Sequence, residues 1–199
     1  MLPEQNRDTY LSPQETQALV RALDLEPNRD AAAALMLLIV TGARKNEILK
    51  ARWEQVDFAR CLLSVPRAKS GKPRHIPLSP LAIRVLETQA RRRQPADAGW
   101  VFPGKVPAQP IENVRCAWER VRTVSGLLPN TRIHDMFHSF ASALANNGVP
   151  LNEIGVLLGH SQLSTTVRYA HHAPQRLVAT ATIAARAWNL LPAPEEGTE

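Results

Sequence analysis

The stretch LLGHSQLSTTVRYAH, residues 157–171, places one histidine and one tyrosine just beyond an apolar segment. Gly159 is expected to end a helix, because glycine favours the left-handed conformation found at helix ends, and His160 then stands in the connection that follows. Ser164 is a good N-cap for the short segment that carries Tyr169. A tyrosine can form a covalent ester with its substrate, but most lone tyrosines in serine- and threonine-rich segments are packed surface aromatics. The chemistry of Tyr169 therefore depends on the rest of the chain.

Two upstream segments carry further candidate residues. TGARKNEIL, residues 41–49, presents Arg44 after a turn, and Glu47 follows three positions later on a short helix, a spacing that brings side chains together. HDMFHSFAS, residues 134–142, places two histidines four positions apart. Taken alone, Arg44 and Glu47 would be no more than an exposed ion pair that contributes under about 1 kcal/mol. Their interpretation rests on the combination with residues 157–171.

Together these segments resemble the catalytic domain of the tyrosine recombinase (phage integrase) family, over about residues 10–187. The resemblance implies DNA strand cleavage and rejoining in site-specific recombination or DNA integration, through a 3′-phosphotyrosyl intermediate and without a cofactor or metal. It implies that Lys69, in a predicted β-turn, is the general acid toward the leaving 5′-hydroxyl. The site that it implies has catalytic Arg44, Lys69, His134, His160 and Tyr169, with Glu47 and His138 in support.

One position departs from the family. Phe137 stands where the resemblance implies a second catalytic arginine. On a helical wheel it joins an apolar face with Ile133, Phe140, Ala141 and Leu144, so the fold should tolerate it. Catalysis should not tolerate it, because arginine offers a phosphate two hydrogen bonds from a charged group whereas phenylalanine offers no donor. Loss of one transition-state donor costs on the order of 100- to 1000-fold in rate, so cleavage should be poor.

Two questions about this substitution stay open at the level of the sequence. Arg132 or Arg168 would have to swing into the site to compensate for the missing charge, and Arg132 lies on another face of the helix start. The substitution is either the natural decay of a family member that still binds DNA, or a recent or engineered change in a competent enzyme.

Charge is distributed unevenly along the chain. The formal net charge is +6, and cations crowd residues 67–93 whereas the last residues, 195–199, are acidic. A one-sided basic surface suits a polyanion, because each neutralised phosphate releases condensed counterions. With the resemblance, this makes Lys72, Arg74 and Arg168 candidate DNA contacts. The resemblance also implies a tetramer on paired DNA sites, with residues 174–190 as a helix that docks on a neighbour.

Length and composition favour one domain in a reducing compartment. The 199 residues contain only two cysteines, Cys61 and Cys116, too few for a disulfide framework, and no signal peptide is recognisable. The longest apolar run, residues 31–40, is about half a membrane span. We expect a soluble, cytoplasmic protein of bacterial or phage origin, associated with the nucleoid. The predicted organisation is a linker over 1–10, the catalytic domain over 11–190 and a disordered acidic tail over 191–199, with no room for an amino-terminal DNA-binding domain.

The residue pattern predicts a mainly α domain with a small antiparallel β-sheet (α+β). Ser12, Pro13 and Glu15 form a capping box and Gly42 terminates the second helix. The predicted strands are 61–65 and 74–78, and the predicted helices span about 13–23, 30–41, 44–48, 80–93, 111–124, 134–147, a short segment ending at 159, and 174–190.

Two rival functions fit part of the pattern. His134 and His138 have a spacing that can place two imidazoles on one metal, as in metal-dependent hydrolases. Asp135 stands where that motif carries a glutamate, and no clear third ligand follows. A catalytically inactive DNA-binding module of the same fold is the stronger rival, because Phe137 permits it.

Overall fold

The computed structural model describes residues 10–66 and 73–159. Within these ranges the chain is mostly helical, with a small three-stranded antiparallel sheet, so the predicted fold class is confirmed. The helices are α1 Pro13–Asp24, α2 Arg29–Thr41, α3 Lys45–Leu49, α4 Pro80–Arg91, α5 Arg115–Val124, α6 Ile133–Asn146 and α7 Leu151–Leu158. The strands are β1 Val56–Asp57, β2 Leu62–Val65 and β3 Arg74–Pro77, and short 3₁₀ turns occupy Trp53–Gln55 and Pro95–Asp97.

The sheet confirms the predicted hairpin and adds a strand to it. β2 and β3 pair antiparallel, with the buried Leu63 and Ile76 opposite each other. β1 pairs with the other edge of β2, with Val56 opposite Leu63. Sequence reasoning missed β1, because a strand of two residues is too short to show an alternating pattern. The residues between β2 and β3, including Lys69 and Lys72, lie outside the described residues.

The capping box predicted at Ser12 sets the start of α1 as expected. The Ser12 hydroxyl accepts a hydrogen bond from the Glu15 amide (3.2 Å), and the Glu15 carboxylate accepts one from the Ser12 amide (2.8 Å). The predicted start of α5 at residue 111 was wrong by four positions. The Ile111 amide instead donates to the Phe102 carbonyl (2.9 Å), so it is not part of the helix, which begins at Arg115.

Helix α2 lies at the centre of the fold and packs against α1, α4 and α6. Its buried residues include both alanines and leucines, among them Ala34, Leu35 and Leu38, so it contributes to the core along its length. A second apolar cluster joins α6 to α7 and consists of Phe137, Ala141, Ala145, Ile154 and Leu158. Only 8% of Phe137 is exposed, which confirms that it serves as a packing residue.

An ion pair between the buried Glu26 and the half-exposed Arg120 fastens the connection between α1 and α2 to α5. Glu26 is only 2% exposed, and its two carboxylate oxygens accept from the Arg120 Nη2 (2.6 Å) and Nε (3.0 Å). The Asn28 amide adds a third hydrogen bond (2.9 Å). Burial alone would raise the pKa of the Glu26 carboxyl, but the bonds from Arg120 and Asn28 and the positive charges of Arg120 and Arg29 outweigh it. The net effect is a lowered pKa, so the ionised form favours the folded state.

This pair should make stability depend on pH. We expect Glu26→Gln to lower the free energy of unfolding at neutral pH, because it leaves Arg120 without its charged partner. The contribution is present above the ordinary glutamate pKa of 4.5 and is lost as pH falls through the lowered folded-state value. Urea unfolding at about pH 7 and about pH 3 should show a difference between the two proteins that shrinks at the lower pH. The matched change at the exposed Glu112, Glu112→Gln, should have little effect, and an equal loss there would contradict the assignment.

Candidate active site

The turn between α2 and α3 sets the position of Arg44. Gly42 ends α2 in the left-handed conformation, with φ 59°, and its amide donates to the Leu38 carbonyl (3.2 Å). The Thr41 hydroxyl donates to the Leu37 carbonyl (2.6 Å) and accepts from the Ala43 amide (3.2 Å). The chain therefore reverses within a few buried residues and delivers Arg44 to the N-cap of α3.

Glu47 fixes the direction of the Arg44 side chain. One Glu47 oxygen accepts from the Arg44 backbone amide (3.0 Å) and the other accepts from its Nη1 (3.2 Å). Arg44 Nη2 donates to the Gly159 carbonyl (3.0 Å), beyond the end of α7. The Glu47 side chain is 7% exposed, so this pair is not the exposed surface pair that the sequence alone allowed. A guanidinium held at two points loses little further freedom when it binds an anion.

Arg74, the first residue of β3, also reaches the end of α7. Its guanidinium donates to the carbonyls of Leu158 (2.6 Å) and Leu157 (3.1 Å), and its Nη1 lies 3.8 Å from a Glu47 oxygen. Only 10% of the side chain is exposed. The predicted DNA contact of Arg74 stays a prediction, but the described geometry gives this residue intramolecular partners.

The first two turns of α6 carry a cluster of three rings. His134 and Phe137 are stacked, with centroids 5.3 Å apart and planes inclined by 11°. His138 meets both rings edge-on, at 4.7 Å from His134 and 5.7 Å from Phe137. Such stacked and edge-to-face arrangements are the favourable geometries for aromatic pairs. Phe137 therefore supports the two histidines by packing and offers them no charge.

A cavity of 1120 Å³ brings the predicted residues of the described ranges together. Arg44, Glu47, His134 and Phe137 all line it, although they come from two distant parts of the chain. We call this cavity the basic groove, because its described walls also carry Lys45, Lys50, Arg115, Arg122 and Arg132, against the acidic Glu47 and Glu119. His138 is not among the groove residues and stands behind them in the ring cluster.

Sequence reasoning placed Glu47 of α3 in the site but missed the cations that α3 and α5 contribute to the groove. Arg115 and Arg122 are seven positions apart, and this spacing places them on one helix face. That signal was available, but only the packing of α5 near α3 and α6 shows that the face lines a shared cavity. Of the remaining candidates, Lys69, Lys72, His160, Arg168 and Tyr169 lie outside the described residues, as do residues 174–190 and 191–199.

Neither a metal cluster nor a membrane span is found in the described ranges. Among residues 10–66 and 73–159, no three or more His, Cys, Asp or Glu side chains converge in a way that could hold a metal ion. None of the helices described has the length and apolarity required to cross a membrane.

The sequence model of the phage integrase family matches residues 9–176. The chain belongs to this family. Among its relatives, the tyrosine recombinase XerD of Vibrio vulnificus is 34% identical over 181 residues, which cover 84% of this chain and 57% of XerD. The tyrosine recombinase XerC of Lactobacillus delbrueckii subsp. bulgaricus is 31% identical over 153 residues, covering 73% of this chain and 51% of XerC. The chain thus spans just over half the length of these relatives.

Solved structures of two integrases and a site-specific recombinase share the fold. The catalytic domain of bacteriophage HP1 integrase superposes with a TM-score of 0.66 at 23% identity, over 89% of this chain and 95% of that one. The XerH site-specific recombinase bound to its difH substrate gives 0.73 at 23% identity, over 88% of this chain and 54% of XerH. The Tn1549 transposon integrase in complex with circular intermediate DNA gives 0.78 at 19% identity, over 93% of this chain and 68% of that one. The predicted family and fold are both confirmed.

The Gly42 turn can be tested against a matched glycine. Gly42 and Gly126 both adopt left-handed conformations, with φ 59° and 73°, where alanine costs roughly 1–2 kcal/mol. A Cβ at Gly42 would also collide with the Phe140 ring of α6, whereas at Gly126 it would meet nothing within 4 Å in the described part of the chain. We expect Gly42→Ala to lower the free energy of unfolding more than Gly126→Ala, as measured by urea denaturation. Equal losses would show that the close contact between α2 and α6 contributes nothing.

Proposed function

We propose that this chain is the catalytic domain of a tyrosine-type site-specific recombinase that cleaves and rejoins double-stranded DNA. The observation that carries the proposal is the convergence of Arg44 and His134 on one basic groove, with Glu47 holding the arginine in place. We assign residues 11–190 to this domain, residues 1–10 to a linker and residues 191–199 to an acidic tail. The relatives at 30% identity or more are named as recombinases, and this supports the same reaction here.

The proposed reaction conserves the energy of the broken bond. The phenolic oxygen of Tyr169 attacks the scissile phosphorus and loses its proton to water, while the bond from phosphorus to the 5′ oxygen breaks. Lys69 protonates that leaving oxygen, so the products are a 3′-phosphotyrosyl ester and a free 5′-hydroxyl. A 5′-hydroxyl of a partner strand then attacks the ester, which rejoins the DNA and releases Tyr169. Apart from the DNA strands and Tyr169, other groups exchange only protons with the reactants, so the proposed reaction needs no cofactor.

Arg44, His134 and His160 are the proposed holders of the phosphate. Charge develops on the non-bridging oxygens in the transition state, and preorganised donors stabilise it most where water is excluded. Arg44 is a preorganised donor of this kind, because Glu47 and the Gly159 carbonyl fix the orientation of its guanidinium. His134 stacks on Phe137, which fixes the plane of its ring at the wall of the same groove.

Phe137 is the reason to propose impaired catalysis. It lines the groove beside His134, at the position where the family resemblance implies an arginine, and it offers a phosphate neither charge nor donor. The same observation favours a second candidate function, a DNA-binding module of the same fold that no longer cleaves. The two candidates share the groove and differ only in turnover.

We further propose that the chain acts in the cytoplasm of a bacterium, in association with the nucleoid, and assembles with other copies on paired DNA sites. Residues 174–190 are the proposed docking helix. Lys72 and Arg168 remain proposed DNA contacts beside the cations of the groove.

Restoring an arginine tests the role of Phe137. We expect Phe137→Arg to raise the rate of covalent attachment of the protein to supercoiled plasmid on the order of 100- to 1000-fold, because it supplies the missing donor. It should also lower the free energy of unfolding by roughly 1.5–3 kcal/mol, because a buried aromatic ring is lost. Phe137→Met, which keeps the side chain apolar, is the matched control and should stay inactive.

The double variant Phe137→Arg/Tyr169→Phe identifies the nucleophile. Attachment that requires both the Phe137→Arg change and the Tyr169 hydroxyl would support a recombinase disabled at one position. If the unaltered chain attaches as well as Phe137→Arg, another group supplies the charge and our interpretation of Phe137 is wrong. If no variant attaches, the DNA-binding module becomes the better assignment.

The groove as a DNA surface can be tested through salt dependence. We expect Arg122→Gln and Arg132→Gln each to reduce the slope of log affinity against log salt concentration by roughly 1, because each removes one phosphate contact. The measurement is fluorescence anisotropy with double-stranded DNA of arbitrary sequence. Arg60→Gln is the control, since Arg60 is 80% exposed and does not line the groove. An equal reduction in that control would rule out the groove as the main contact surface.

A further inference from the structure

The end of α7 is held by arginines from two other parts of the fold. Arg74 donates to the carbonyls of Leu158 (2.6 Å) and Leu157 (3.1 Å), and Arg44 donates to that of Gly159 (3.0 Å). The last carbonyls of a helix have no partner within the helix, and a cation near them also complements the helix dipole. The next residue in sequence is His160. The point at which the chain leaves α7 is therefore fixed by side chains from outside the helix.

Arg74 is held there at a cost. Its side chain is 10% exposed, and among the described residues its buried Nε has no hydrogen-bond partner. Burial lowers the pKa of the Arg74 guanidinium and the neighbouring Arg44 lowers it further, while Glu47 opposes both. Burying a charged group with an unsatisfied donor is energetically unfavourable, and an apolar side chain in the same space would often stabilise the fold as well or better. The presence of Arg74 is therefore better explained by the contacts that it makes at the end of α7 than by a contribution to stability.

Gly159 is shaped around the same guanidinium. It adopts a left-handed conformation with φ 65°, and a Cβ built on it would collide with the Arg74 Nη1. Glycine at this position therefore serves two purposes, since it ends α7 and leaves the space that Arg74 occupies.

Glu47 links Arg74 to the proposed phosphate holder. One of its oxygens lies 3.2 Å from Arg44 Nη1 and the other lies 3.8 Å from Arg74 Nη1. A single carboxylate between two guanidiniums fixes their separation. Arg44, the end of α7 and the start of β3 consequently form one connected unit.

We propose that Arg74 is a positioning residue, which fixes relative to Arg44 the point where the chain leaves α7, one residue before His160 in the sequence. This inference rests on the proposed function, because His160 matters only if it acts on the phosphate. Arg74 begins β3, immediately after the segment that carries Lys69, so the same bonds tie the strand following that lysine to α7. In this proposal Arg74 acts through these neighbours, and this role replaces the DNA contact that the sequence predicted for it.

The experiment compares Arg74→Gln, Arg74→Lys and the control Arg60→Gln in the full-length chain, each with and without Phe137→Arg. Nuclear magnetic resonance follows the Gly159 amide and the pH titration of the His160 ring. Single-turnover attachment to DNA gives the rate, and anisotropy gives DNA affinity with its salt slope. We expect Arg74→Gln to shift the Gly159 and His160 signals and to lower the rate about 10- to 100-fold with unchanged affinity, since small misplacements of a reacting group have effects of this size. Arg74→Lys should give a partial rescue, because it restores the charge without the two-carbonyl fork.

The other outcomes separate this inference from the proposed function. If Arg74→Gln weakens DNA binding and its salt slope but leaves the His160 titration unchanged, Arg74 is a DNA contact and the inference is overturned. Unchanged signals together with an unchanged rate would overturn it as well. If no variant attaches to DNA but Arg74→Gln alone moves the Gly159 and His160 signals, the proposed function fails while the positioning role stands. Should Arg74→Gln fail to fold, Arg74→Lys provides the same comparisons.

Discussion

The carboxylate of Glu47 is the constraint on which the rest of the site depends. It accepts from the backbone and the side chain of Arg44 and lies near Arg74, and these two arginines bind carbonyls at the end of α7 and just beyond it. A single buried charge thereby joins the α2–α3 turn, the sheet and the end of a helix that are far apart in sequence. Because a buried carboxylate is stable only with such partners, each part of this unit requires the others.

Helix α6 illustrates how packing and chemistry can diverge at one position. Phe137 lies in the apolar cluster between α6 and α7 and stacks on His134, so the fold gains from it. At the wall of the basic groove the same ring offers no hydrogen-bond donor, and in the proposed function this is where the phosphate binds. Stability and transition-state stabilisation impose different requirements, and phenylalanine meets only the first of them.

Sequence patterns predicted the features that depend on a few neighbouring residues. The capping box at Ser12, the left-handed Gly42 and the β2–β3 hairpin follow from local hydrogen bonds and backbone preferences, and all three were confirmed. The failures have a common cause as well. β1 and the late start of α5 are decided by pairing with Leu63 of β2 and with the Phe102 carbonyl, and no local pattern encodes such partners.

The sequence by itself determined the family, the fold class and the candidate residues, because glycine turns, caps and motif spacings are local properties of the chain. Tertiary structure alone decided which of those residues meet. It placed Arg44, Glu47, His134 and Phe137 on one groove, added the unsuspected cations of α3 and α5, and turned Arg74 inward toward α7. The physical reason is that the direction and burial of a side chain are set by the elements packed around it, which lie far away in sequence.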